Sequence, residues 1–278
     1  MNLKATVLID NTCKEGLLSE WGLSFYIEHC GRRYLLDTGA TDKFIINAER
    51  LGIDLSSVDC AVLSHAHYDH SGGTEAFLKL NTHARLYVRP SAGENCWSRH
   101  SLRLRYIGLP KGLLDKAGGR LVRKDGVVGL GEGAWLVPHS YGAGTAWDPR
   151  ISARKSGLYV RRGLCFVPDD FSHEQSLVFE TDEGLVIFNS CSHSGPEAIV
   201  AEVMAALPGR KICAYIGGLH LFRLRDKDIE SVASGLAGSG VARVFAGHCT
   251  GDRAYAILES RLEGRIGRTY SGMTVSFG

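Results

Sequence analysis

The chain has 278 residues, 44% of them hydrophobic and 22% charged, with a formal net charge of +2. That is enough apolar material for a sizeable core, in one large domain or two small ones, and too little charge to argue for nucleic acid as a partner. No like-charge run suggests a basic membrane patch, no apolar stretch approaches the ~18 residues of a membrane span, and the opening MNLKATVLIDNT carries no targeting pattern, so a cytoplasmic protein without membrane contact is expected.

In chain order, KATVLID reads as a strand and LSFYIEHCGRRYLLDTG as a hairpin turning at Gly31. TDKFIINAERLGI reads as a helix and DCAVLSH as the next strand. Between about 90 and 170 the periodicity weakens into glycine-rich, basic sequence, expected to be an insertion covering one end of the sheet within a single domain, 1–278. Strand patterning resumes at QSLVFET. EGLVIFNSCSH, KICAYIGGLH and VARVFAGHC then read as strands, each leading into a helix, the first of these helices opened by Ser194 and Pro196. A histidine stands just past each apolar run: His193, His220 and His248. Strand ends in open sheets flanked by helices are where ligands gather, which marks these three as site candidates.

The densest chemistry lies in VLSHAHYDHSGG, where His65, His67, Asp69 and His70 follow an apolar strand. On a turn leaving a strand, residues two apart can converge, so His65 and His67 suit one metal while Asp69 and His70 face a second. Imidazole and carboxylate ligands suit zinc first, with iron, manganese or nickel as other fits. Gly72 and Gly73 are expected to let the backbone turn tightly into a helix starting near Thr74. A polar loop enriched in histidine is the plainer alternative. The eight cysteines form no C-x-x-C pair and are expected to be reduced thiols.

HAHYDH after an apolar strand resembles the signature of the metallo-β-lactamase superfamily, and LLDTG, SCSHSG and GHCTG resemble its other motifs, so the resemblance spans nearly the whole chain. EWGLSFYIE, HEQSLVFET, SCSHSG, GGLHL and GHCTG together resemble, more narrowly, the branch of dihydropterin ribofuranosylaminobenzene-phosphate synthase-like metal-dependent hydrolases. The resemblance implies an α/β fold, a four-layer αββα sandwich, with a dinuclear centre of two divalent transition-metal ions at one edge. It implies that His193 joins His65 and His67, that His248 joins Asp69 and His70, and that Asp37 lies beneath the site. His220 stands where the superfamily usually has a bridging aspartate. Trp21 and Asn189 are further departures, at places where this branch has His and Gly.

Other readings stay beside these. His220 suits a supporting hydrogen bond as naturally as a metal. Cys191 and Cys249 neighbour presumed ligands but are expected to be small packing residues. His29, His83, His100, His139 and His173 lack a partner pattern and are expected on the surface or in structural roles. Arg223 and Arg225 follow His220 closely enough to reach an anionic substrate, although a solvated loop is the plainer reading.

Two cations sharing a water lower its pKa to about 7, so the expected function is hydrolysis of an ester, thioester, amide or phosphoester of a small, anionic substrate by a metal-bound hydroxide. Asp37 or Asp69 orients that hydroxide and accepts its proton. A synthase-type condensation is the alternative, with Trp97, Tyr106, Tyr141 and the arginines available for a flat pterin and a phosphate. A non-catalytic ligand-binding sensor is the third. A di-iron flavin-linked reductase is disfavoured, because position 67 is His where those proteins carry Glu.

Overall fold

The computed structural model describes residues 1–101, 103–139 and 157–278. Two seven-stranded sheets form its centre. The first runs, in spatial order, Thr274–Phe277 (β18), Leu3–Ile9 (β1), Ser24–His29 (β2), Arg32–Leu36 (β3), Cys60–Val62 (β4), Arg85–Val88 (β5) and Leu121–Arg123 (β8). The second runs Ile266–Arg268 (β17), Arg243–Gly247 (β16), Ile212–Gly218 (β15), Gly184–Phe188 (β14), Gln175–Thr181 (β13), Ala134–Pro138 (β10) and Val128–Gly131 (β9).

The period-2 alternation of side chains sorts these strands into layers. In β3, Leu35 packs outward onto Phe44, Ala48 and Phe77, which belong to the helices Lys43–Arg50 and Thr74–Leu80. Its neighbours Tyr34 and Leu36 point the other way, into a central layer shared with Phe179 and Phe188 of the second sheet. In the second sheet Val178, Ile187 and Tyr215 face outward onto Ile199, Val203, Ile229 and Val232, carried by the helices Pro196–Ala206 and Asp226–Gly238. Each fully buried large side chain contributes roughly 1.5–3 kcal/mol, so the three apolar layers hold the two sheets and their helices together. The order helix, sheet, sheet, helix is the expected αββα sandwich.

The hairpin turns at Gly31, with φ +77°. The last two helices, Asp226–Gly238 and Asp252–Leu262, follow β15 and β16 as expected. Two local expectations change. Ser194 does not cap the helix at Pro196; its amide donates to Glu174 Oε2 instead, at 2.8 Å. Gly72 and Gly73 are required by close approach, since a Cβ at either would stand 2.1 Å from Ala40 O or 2.4 Å from Thr41 O, and neither has a positive φ.

The segment from 90 to 170 is shared among all three sheets. β8 edges the first sheet and β9–β10 edge the second, while Cys96–His100 (β6), Arg103–Tyr106 (β7), Leu158–Arg162 (β11) and Cys165–Pro168 (β12) build a separate four-stranded sheet. The sequence resumes its pattern at β13, but β10 already pairs with β13 along its whole length, from Ala134↔Phe179 to Pro138↔Gln175. No described helix is long and apolar enough to cross a membrane.

Candidate metal centre

β3, β4 and β5 run parallel, as do β14 to β17, and the loops that follow β4, β14, β15 and β16 bring their side chains together at one edge of the sandwich. Asp37, Ser192, His220 and His248 there all have positive φ between 48° and 60°. A left-handed backbone is costly for side-chain-bearing residues and persists only where the surroundings over-determine it, a pattern that concentrates at functional sites.

Two ligand sets converge. The donor atoms of His65, His67 and His193 lie within 4.8 Å of one another. In the other set His70 Nε2 is 3.2 Å from His248 Nε2 and 4.0 Å from Asp69 Oδ2, and His248 Nε2 is 3.6 Å from Asp69 Oδ2. Nitrogen and oxygen ligands of one tetrahedral ion are about 3.3 Å apart, close to the 3.2 to 4.0 Å spread of the second set.

The hydrogen-bond network fixes which ring nitrogens are available. Asp37, fully buried, accepts Ser64 N at 2.7 Å on one oxygen, and Ser64 Oγ at 2.6 Å with His70 Nδ1 at 2.9 Å on the other. Having donated its only proton to Asp37, Ser64 Oγ accepts from His65 Nδ1 at 2.8 Å. One carboxylate therefore sets the tautomers of both His65 and His70 and turns their Nε2 lone pairs into the site. On the opposite side Asn11 Oδ1 accepts His248 Nδ1 at 3.1 Å, and Asp10 Oδ1 accepts the His248 amide at 3.0 Å. His65 Nε2 and His67 Nε2 are buried and make no hydrogen bond.

The electrostatics agree. Burial first, then the neighbouring imidazoles, push His65 and His193 well below the usual histidine range, and burial with His173 takes His67 down to about 3. All three are thus neutral, the ligating form, at pH 7. Burial opposes charge on His248 too, but Cys249, Asp69 and Asp10 outweigh it and raise it to about 9. Burial likewise opposes the Asp69 carboxylate, yet His70, His248 and His67 hold it well below the usual carboxylate range. One half of the site thus offers lone pairs and the other attracts positive charge, so the donor set fits metal ions.

Above the ligands lies a cavity of about 340 Å³ whose walls include Trp21, Tyr68, Phe222, Arg105 and Arg223. The third sheet supplies Ser98, Arg105 and Leu158 to it, so that sheet covers the metal edge.

Residues 22–146 match the family model of the metallo-beta-lactamase superfamily. That match covers the first part of the chain, and the αββα fold agrees with it. The chain is 29% identical to the 7,8-dihydropterin-6-methyl-4-(beta-D-ribofuranosyl)-aminobenzene-5'-phosphate synthase of Methanocaldococcus jannaschii, over 93% of this chain and 90% of that one. It is also 29% identical to a crystal structure of a metal-dependent hydrolase of the beta-lactamase superfamily, with a TM-score of 0.83 and 98% of both chains covered. The metallo-beta-lactamase fold protein YhfI from Bacillus subtilis shares the fold, at 10% identity and a TM-score of 0.60 with 100% of both chains covered.

Several expectations are corrected by these contacts. Asp37 does not line the cavity, and its oxygens are engaged by Ser64 and His70, so it positions ligands instead of acting on a substrate. Arg225 precedes the helix at Asp226 and pairs with Asp228 at 3.0 Å, away from the cavity. Trp97 and Tyr106 pack edge-to-face on each other in the third sheet, also off the cavity, while Tyr141 and the His100 side chain lie outside the described residues. Cys191 and Cys249, expected as packing residues, lie in the centre itself, with Cys191 Sγ 3.2 Å from His70 Nε2. His220 is grouped with Cys191 and His193.

The two departures from the branch have local roles. Trp21 Nε1 donates to Asp69 Oδ2 at 2.9 Å, and the Asn189 side chain accepts the amides of Cys191 and Ser192. Sequence reading passed over Arg105, Asn11 and Glu174; Glu174 accepts the His193 and Ser194 amides at 2.8 Å each. Only HEQ, directly before a strand, hinted at Glu174.

Proposed function

We propose that the protein is a hydrolase with a dinuclear metal centre, held by His65, His67 and His193 on one side and Asp69, His70 and His248 on the other, acting on an ester, thioester, amide or phosphoester of a small anionic substrate. The observation that carries this reading is the convergence of two ligand sets whose tautomers are fixed by Asp37 and Asn11. When bound, the ions supply a nucleophilic water at neutral pH and polarise the scissile carbonyl or phosphoryl oxygen.

The chain's own residues do the rest. Asp69 lines the cavity and is steered by the Trp21 indole, so its ionised carboxylate orients the attacking water and accepts a hydrogen bond at Oδ2. Arg105 and Arg223 lie in the cavity wall, where they attract and hold an anionic group. Ile107 and Leu158 from the third-sheet side keep bulk water away.

Elemental analysis of the purified protein is expected to give close to two Zn, Fe, Mn or Ni ions per chain, and turnover on a panel of phosphoesters, thioesters and lactones to depend on them. Protein that stays free of these metals after reconstitution would sink the proposal.

A synthase-type condensation is the second reading. It is supported by the 29% identity over 93% of the chain to a relative with a synthase name, and by the aromatic walls of Trp21, Tyr68 and Phe222 beside two arginines. Product formation from a 7,8-dihydropterin and a ribofuranosylaminobenzene phosphate, with no hydrolysis of the panel, would favour it over the first.

A further inference from the structure

We propose that the thiolate of Cys191 bridges the two metal ions, taking the place that resemblance to the superfamily gives to an aspartate. This rests on the dinuclear centre proposed above. Cys191 Sγ belongs to one donor group with His65 and His70, to a second with His193 and His220, and to a third with His248 and Cys249. It therefore lies within 4.8 Å of donor atoms from both ligand sets, His65 and His193 of one and His70 and His248 of the other. The 3.2 Å from Cys191 Sγ to His70 Nε2 is close to the roughly 3.5 Å expected for sulfur and nitrogen on one tetrahedral ion.

The surrounding bonds hold the sulfur in that place. Asn189 Oδ1 accepts the Cys191 and Ser192 amides, and Ser192 Oγ donates to Gly218 O at 2.6 Å, which fixes the loop against the end of β15. Cys249 Sγ accepts the His220 amide at 3.2 Å and donates its own S–H toward Cys191 Sγ at 3.4 Å. Gly218 leaves the room for this pair: a Cβ there would stand 2.6 Å from Cys249 Sγ. Cys249 is thus a positioning residue, a thiol donating to the sulfur that binds.

Charge supplies the reason. The histidine set brings three neutral imidazoles and the other set one carboxylate, so the six proposed ligands put a single negative charge directly on two divalent cations, with the buried Asp37 and Asp10 standing behind His70 and His248. A buried charge needs compensation nearby. Imidazole binds a metal through one nitrogen at a time, whereas a thiolate sulfur has lone pairs for two cations and brings a full negative charge. On loading, the Cys191 S–H bond breaks, sulfur forms a bond to each ion, and the proton leaves to bulk water.

Spectroscopy on the loaded protein tests this. With two equivalents of cobalt(II), the wild type is expected to show a thiolate-to-cobalt charge-transfer band in the near ultraviolet, which Cys191→Ser abolishes and Cys249→Ser keeps. Cys191→Ser is also expected to release both ions to a chelator ~10 to 100-fold more readily. Cadmium-113 NMR of the wild type needs no variant, and is expected to give two resonances, both displaced downfield by sulfur. One displaced resonance, or a cobalt band that survives Cys191→Ser, overturns the bridge. Two bound cadmium ions with no sulfur shift overturn the bridge alone, whereas a protein that binds neither ion overturns the dinuclear reading as well.

Discussion

The two sides of the centre are built in opposite ways. One side is a single turn after β4, in which His65, His67, Asp69 and His70 occupy six residues. The other is assembled from three separate strand ends, after β14, β15 and β16, so that Cys191 and Cys249 touch across 58 positions and His70 and His248 across 178. Each proposed metal nevertheless draws on both sides: His193 completes the His65–His67 pair and His248 completes Asp69–His70. On the proposed ligand sets neither half of the fold would hold an ion by itself, so metal binding and the docking of the two sheets would be linked.

The supports differ in the same way. The compact side rests on Asp37, one buried carboxylate that orients two histidines. The dispersed side needs a support for each strand end: Glu174 for His193, Asn189 for Cys191, and Asp10 with Asn11 for His248.

The largest expected effect therefore falls on Asp37. In Asp37→Asn the side-chain NH₂ faces His70 Nδ1, which turns the ring to the tautomer with its proton on Nε2, and retention of metal against a chelator should fall ~100-fold. Unchanged retention would show that Asp37 does not govern the compact side.

Glu174→Gln should cost less, ~10-fold, because it weakens the hold on one strand end only. Combined with Asp37→Asn, its effect should add in free energy within about 0.5 kcal/mol, as for supports that share no partner. A larger departure in the double variant's chelator titration would mean that the two sides are held by one network.

The arginines sharpen the contrast at the cavity mouth. Arg223→Ala should lower kcat/KM for an anionic ester ~10-fold, about 1.4 kcal/mol of transition-state binding, while Arg225→Ala should stay within about twofold because its partner is Asp228. Equal losses would return Arg225 to the substrate wall.

The smallest effect is expected at Trp21. Trp21→Phe keeps the aromatic wall and removes one hydrogen bond to Asp69, worth about 1 kcal/mol, so kcat should drop ~5-fold with metal content unchanged. Loss of metal in that variant would show the indole supporting a ligand and not only its direction.

By itself the sequence determined the layers and the compact half of the site. Alternation in β3 and the parallel strands, together with the helix periodicity after each of them, is a local property of the chain, and burial of one face per element leaves few ways to stack them. HAHYDH is likewise local, because four ligating side chains in six residues leave one turn in common. Tertiary structure alone decided the rest. The third sheet joins strands on either side of residues 107–157, so its cover over the metal edge and the arrival of Arg105 at the cavity follow from a pairing that no local pattern encodes. The same holds for Cys191: its spacing looks like that of a packing residue, and only the meeting of two sheets brings its sulfur within reach of histidines from both. Coordination depends on distances of a few ångströms between strand ends far apart in sequence, and those distances are set by how the layers pack, not by the residues at either end.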